Sequence, residues 1–196
     1  MSDRHQSQAI VLAGPNGAGK STSRPRLLPA SVPFVNADDI AREMGNEAGP
    51  VRDLAAGRVL VQELRRLVRD RENFGLETNL ANRTLSLRIP EWQAAGYRVS
   101  LFFIWLPSAD LSVARVAARV RSGGHDVPEA VIRRRYVAGL RHFFDVYQPL
   151  VNDWRMYDNA RPDGPRLIAR GVQRFPESDL WHQIHKFARG STQRAE

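Results

Sequence analysis

Cysteine is absent from this 196-residue chain. That excludes disulfides, cysteine-zinc sites and thiol catalysis, and it fits a reducing compartment. Lysine is scarce too: Lys20 and Lys186 are the two in the sequence, so nearly all of the 29 basic residues are arginine. Long apolar runs are missing. The longest, Leu101-Phe102-Phe103-Ile104-Trp105-Leu106, suits a buried strand and falls far short of the roughly 20 residues a membrane helix needs. The five histidines are scattered, and His182 and His185, three apart, have no further ligand at metal-site spacing. Trp92, Trp105, Trp154 and Trp181 read as packing residues, because their spacing makes no base-stacking platform. The polar start Met1-Ser2-Asp3-Arg4-His5-Gln6 leads straight into an apolar run, so no signal peptide is expected. The expectation is a cytoplasmic protein without membrane contact.

What is present in excess is positive charge, a formal net +8. Guanidinium groups bind phosphate oxygens in a bidentate fork, so the balance fits phosphate-bearing or acidic partners. It fits equally a high-GC genome in which arginine codons replace lysine codons. Against that background the lysine at position 20 is conspicuous. Gly14-Pro15-Asn16-Gly17-Ala18-Gly19-Lys20-Ser21-Thr22 satisfies G-x-x-x-x-G-K-[ST] and follows the apolar run Ala9-Ile10-Val11-Leu12-Ala13. A glycine-rich loop between a strand and a helix turns backbone N–H groups inward around a polyphosphate, and the helix N-terminus adds partial positive charge. Lys20 then reaches the β- and γ-phosphates, and the Ser21 hydroxyl ligates Mg²⁺. The expected cofactor is ATP or GTP with Mg²⁺.

The rest of the chain alternates strand and helix patterns. Short strands are read at Pro33–Asn36 and Asn73–Thr78, and a long one at Tyr97–Leu106. Helices are read over Ser21–Leu28, after Pro50, over Arg83–Ala95 with a bend at Pro90 and a stop at Gly96, over Ala109–Arg121, and from Pro128 to about Tyr147. Trp154–Tyr157 and Arg166–Ala169 read as a terminal strand pair, followed by a helix over Glu177–Ala188. This is one α/β domain over residues 1–190, a parallel sheet covered by helices on both faces with a helical lid, and residues 191–196 as a flexible tail. Ligands are expected at the C-terminal ends of the strands.

Three groups of residues are placed to do chemistry there. Asp38 and Asp39 end the second strand, where a carboxylate deprotonates an acceptor hydroxyl or holds Mg²⁺ through water; the competing role is capping the helix that starts at Ile40. Glu77 and Thr78 end the third strand and suit substrate binding or support of the metal. Arg115, Arg119, Arg121 and the run Arg133-Arg134-Arg135 flank Ser122-Gly123-Gly124-His125, a glycine-hinged lid whose cations stabilise charge on a transferring phosphoryl group.

Taken in order, these segments resemble the zeta-toxin family of P-loop kinases, in a compact form. The resemblance spans about Gln8 to Ala169 and rests on the phosphate loop, Phe34-Val35-Asn36-Ala37-Asp38-Asp39-Ile40-Ala41, Glu77-Thr78, Gly96-Tyr97, and Arg119 to Pro128 before Arg134-Arg135-Tyr136. It implies ATP·Mg²⁺-dependent phosphorylation of a UDP-N-acetylglucosamine hydroxyl, and a separate antitoxin protein over the nucleotide site. Carried over by position, Asp38 is the general base, Lys20 the phosphate-binding lysine and Glu77 the acidic substrate residue. Arg119 or Arg121 is the first transition-state arginine and Arg134 the second, chosen among Arg133 to Arg135. The long insertions that help bind the sugar nucleotide in larger members are missing, which leaves the small-molecule acceptor open. A nucleoside or nucleic-acid 5′-hydroxyl kinase is the alternative, and a P-loop ATPase switch without acceptor is another. Against the switch, the chain has no Leu-Ser-Gly-Gly-Gln signature and no apolar strand ending in Asp-Glu.

Overall fold

The computed structural model describes residues 6–45, 50–171, 173–174 and 178–190. The first strand, β1 (Gln8–Ala13), is buried along nearly its whole length, and its alternate side chains part to opposite faces. Ala9, Val11 and Ala13 join one core, while Ile10 and Leu12 join another. A strand with helices on both sides needs this pattern, and it is why the segment reads as a continuous apolar run. The strand β4 (Arg98–Trp105) does the same, sending Val99, Leu101, Phe103 and Trp105 to the first core and Phe102 and Ile104 to the second.

Around this pair the chain lays down α1 (Lys20–Leu27), β2 (Phe34–Val35), α2 (Ala37–Glu43), α3 (Pro50–Arg69), β3 (Phe74–Thr78) and α4 (Thr84–Ala94) before β4. After it come α5 (Ala109–Arg121), α6 (Glu129–His142), β5 (Asp153–Asp158), β6 (Arg166–Arg170), β7 (Gln173–Arg174) and α7 (Ser178–Gly190). The sheet order is β2-β3-β1-β4-β5-β6-β7. The first five strands in that order run parallel, and β6 and β7 add on antiparallel. The ends of β1 and β3 therefore open at one edge, with Ala13 opposite Thr78.

The elements stop where local chemistry makes them stop. Gly96, at φ +91°, lets Tyr97 N–H bond back to the Trp92 carbonyl (3.0 Å) and its own N–H to that of Gln93 (2.9 Å), a Schellman end to α4. Tyr97 then donates its hydroxyl to the Leu67 and Glu72 carbonyls at 2.9 and 2.7 Å, tying the end of α3 to the start of β4.

The structure departs from the sequence expectations in four places. The terminal strand pair is not separate, because β5 continues the main sheet in parallel with β4. Pro90 lies inside an unbroken α4, on its exposed side. The helix expected to reach Tyr147 is α-helical only to His142, and Phe143–Tyr147 forms a π turn. Neither Asp38 nor Asp39 caps α2; Asn36 does, its side chain accepting from Asp38 N–H at 3.0 Å. Residues 191–196, read as a tail, and Glu177 lie outside the described residues.

Candidate phosphoryl-transfer site

The loop between β1 and α1 is shaped by what packs against it. Gly19 precedes α1 at φ +79°, a left-handed conformation that favours glycine, and a side chain there would also run into Asn159 Nδ2 at 2.7 Å. Asn159, just beyond β5, donates to the Ala18 carbonyl at 2.8 Å. Gly14 lies against the Ile104 carbonyl, where no Cβ fits. From α5, Arg115 reaches the Ala160 carbonyl at 3.0 Å and so ties that helix to the strand end beneath the loop.

Inside this frame the Lys20 ammonium is buried. It donates to the Gly14 and Pro15 carbonyls at 2.9 and 3.0 Å and lies 3.7 Å from Glu77 Oε1. Burial pushes its pKa below the ordinary lysine value; the Glu77 and Asp38 carboxylates pull it back up, and the Arg119 charge adds to the downward side. The Ser21 hydroxyl donates to the other Glu77 oxygen, Oε2, at 2.9 Å. Glu77 thus touches both Lys20 and Ser21 of the glycine-rich motif. A serine hydroxyl beside a carboxylate is a pair of hard oxygen donors, which is the ligand chemistry Mg²⁺ accepts.

A cavity of about 620 Å³ opens from this point. At its mouth stand Asn16, Lys20, Asn36, Asp38, Glu77, Thr78 and Arg135, and its body runs between α3 and α4. The Asn16 Oδ1 atom is buried without a hydrogen-bond partner, an acceptor that a bound ligand could satisfy. The loop after β3 is held in shape by α6. Leu80 sits at φ +54°, its N–H bonded to Thr78 Oγ1 at 3.1 Å, and its carbonyl meets His142 Nδ1 at 2.8 Å. One turn back along α6, Gly139 lies directly against the Asn79 carbonyl. One further turn back comes Arg135, which this packing aims at the cavity mouth.

Of the residues singled out from sequence, Lys20, Ser21, Asp38, Glu77 and Thr78 come together. Others go elsewhere. Asp39 points away to Arg42 at 2.8 Å. Arg119 donates to the His125 carbonyl at 2.7 Å, bracing the lid, and stands near enough to act on the Lys20 charge. Arg121 and Arg134 are exposed and do not line the cavity. Arg133 is held by Asp110 and Glu129 at 2.7 and 2.8 Å. Among the three consecutive arginines it is Arg135, half-buried, that faces the site. Sequence reasoning passed over Asn36, Asn159 and His142. Asn36 was findable as a good N-cap two residues before Asp38; the other two act only through tertiary contacts.

Among the described residues, no helix is long and apolar enough to cross a membrane. Residues 10–136 match the model of the AAA domain family. An uncharacterized protein of Haemophilus influenzae is 30% identical over 131 residues, 67% of this chain and 94% of that protein. The crystal structure of AvrRxo1-ORF1:-ORF2 with ATP superposes with a TM-score of 0.72 at 18% identity, covering 93% of this chain and 64% of the other, so this chain spans under two thirds of that protein. A putative kinase from Chloroflexus aurantiacus gives a TM-score of 0.62 at 15% identity over 92% of this chain and 99% of that one. The PezAT chromosomal toxin-antitoxin system of Streptococcus pneumoniae gives 0.59 at 15% over 96% and 88%. These similarities show a P-loop kinase-like fold, and with more than half of its length matching the family model the chain belongs to the AAA domain family.

Proposed function

We propose that this protein is a small-molecule kinase that transfers the γ-phosphoryl group of ATP to a substrate hydroxyl with Mg²⁺. The observation that carries this reading is the junction at Glu77. It couples Lys20 and Ser21, the phosphate and metal groups of the loop, at the mouth of a cavity that Asp38 also lines. A site that only hydrolysed nucleotide has no use for a deep second compartment beside the phosphates, whereas an acceptor does.

Mg²⁺ held at the Ser21 hydroxyl would offset the negative charge of the phosphates. The protein supplies the remainder. Lys20 offers a fixed ammonium to the β- and γ-phosphates, and the Ser21 hydroxyl, oriented by Glu77, would hold the metal. Asp38 accepts the proton of the acceptor hydroxyl as its oxygen forms a bond to the γ-phosphorus. The bond from that phosphorus to the bridging oxygen breaks, and ADP leaves with the electron pair. Arg119 and Arg135 neutralise charge on the equatorial oxygens, and closure of the 122–125 hinge excludes water.

The resemblance to zeta toxins and the fold shared with PezAT support a UDP-sugar as one acceptor and a separate antitoxin as a partner, both as proposals. The deciding experiment incubates the protein with ATP·Mg²⁺ and a bacterial metabolite extract, beside Asp38→Ala. Mass spectrometry should find an acceptor that gains one phosphate in the wild-type sample alone. Phosphate released to water with no phosphorylated acceptor would instead establish an ATPase.

A further inference from the structure

The cavity that opens at Asp38 is longer and more apolar than the phosphoryl-transfer step itself requires. Its long wall is one stripe of α3, from Gly57 through Val61 and Arg65 to Arg69, with Leu60, Leu64 and Val68 in the adjacent row. Twelve residues of helix separate the ends of that stripe, about 18 Å at 1.5 Å per residue. Leu76 of β3 forms the floor, and Leu85 and Trp92 of α4 the facing wall. The slot descends from the phosphate loop between the two helices with aliphatic carbon along its middle.

The cations of its walls are not equivalent. Arg88 is already paired with Glu91 at 3.0 Å, and Arg69 with Asp70 at 3.0 Å. The neighbouring Arg66, next in sequence to Arg65, is shared by Glu63, Asp70 and Glu72 at 2.8, 3.3 and 2.7 Å. The acidic groups of this region are therefore consumed by Arg66, Arg69 and Arg88. Arg65, an exposed side chain, lines the slot and, like Arg135 at its mouth, has no ion pair or hydrogen bond among the described residues. A guanidinium beside an apolar channel and without an internal counter-charge presents its planar donor fork to whatever enters.

We propose that this slot is the acceptor site and selects an elongated hydroxyl compound with an apolar midsection and an oxyanion, carboxylate or phosphate, at its far end. Arg65 binds the oxyanion, and Leu60, Leu64 and Leu85 cover the midsection. The hydroxyl end faces Asp38. The inference rests on the kinase reading for the fate of that hydroxyl, but not for its binding.

Binding is therefore measured without turnover. The phosphate loop is first saturated with a non-hydrolysable ATP analogue and Mg²⁺, so that no probe anion can settle there. Three probes are titrated calorimetrically: 8-hydroxyoctyl phosphate, 8-hydroxyoctanoate and neutral 1-octanol. At least one anionic probe should bind more tightly than the alcohol, and which one does so identifies the preferred oxyanion. Arg65→Gln should weaken that probe about tenfold or more, the loss expected from one charge-assisted hydrogen bond. The alcohol should be insensitive to the substitution, and thermal unfolding of the variant should match the wild type. Equal binding of all three probes, no binding of any, or an anion affinity indifferent to Arg65→Gln overturns the proposal. Absence of any phosphorylated product from the metabolite extract counts against the kinase reading alone and leaves these titrations to stand or fall separately.

Discussion

Glu77 and Ser21, 56 residues apart in sequence, share a hydrogen bond of 2.9 Å that joins the end of β3 to the first turn of α1. Because Lys20 lies 3.7 Å from the same carboxylate, Glu77 holds both the Ser21 hydroxyl and the Lys20 ammonium. Glu77→Gln keeps the shape and the hydrogen bond but removes the charge. The Mg²⁺ concentration for half-maximal transfer should then rise roughly 10- to 100-fold, the range for losing an outer-shell partner of a metal ligand. A Mg²⁺ titration at saturating ATP measures it, and an unchanged midpoint removes Glu77 from that role.

The lowered Lys20 pKa gives a signed pH effect. Burial holds the ammonium below its ordinary 10.5 in the free protein, and a bound polyphosphate raises it again by adding negative charge. Binding then takes up a proton at any pH between the two values. Nucleotide affinity should be flat below the free-protein pKa and fall above it, by at most about tenfold per pH unit. Fluorescent-nucleotide titrations from neutral to alkaline pH test this. Lys20→Arg, charged throughout the range, should show no such fall.

Much of this site was legible because the phosphate loop is local. Nine consecutive residues fix its conformation, so Lys20 and Ser21 could be assigned from order alone. Asp38 and Glu77 were legible because a parallel sheet delivers strand ends to one edge. The lid was not. Which of Arg133, Arg134 and Arg135 faces the site depends on the rotation of α6 about its axis, and that is set by Gly139 against the Asn79 carbonyl and His142 against that of Leu80. Sequence favoured Arg134; one residue along a helix is a turn of about 100°. The slot was illegible for the same reason. Its walls come from α3 and α4, whose apolar positions looked like ordinary core-facing stripes.

The choice of lid arginine makes a direct comparison. Arg135→Ala should lower kcat by about a thousandfold, within the range for an arginine that stabilises transferring phosphoryl charge. Arg134→Ala, exposed and off the cavity, should change kcat less than about twofold. Both should leave ATP affinity near wild type. Reversed results would return the role to Arg134 and require α6 to rotate on closure.

Two glycines offer the same substitution with opposite signs. Gly57 lies within α3, and a Cβ there meets nothing within 4 Å. Gly57→Ala should therefore stabilise the fold by about 0.5–1 kcal/mol, since alanine restricts the unfolded chain and costs the helix nothing. Gly139 lies within α6, where a Cβ would strike the Asn79 carbonyl. Backbone cannot yield as a side chain does, so α6 must move or the loop after β3 must shift. Gly139→Ala should destabilise by about 1–3 kcal/mol, the usual range for overpacking. For a domain of this size each kcal/mol moves the melting temperature by about 2–4 °C, so calorimetry resolves the two variants on either side of wild type. The loop that Gly139 supports follows directly on Glu77 and Thr78 at the end of β3, so Gly139→Ala should also lower activity at temperatures where it remains folded. Normal activity with lowered stability would mean that α6 braces the fold and leaves the alignment of β3 to the sheet.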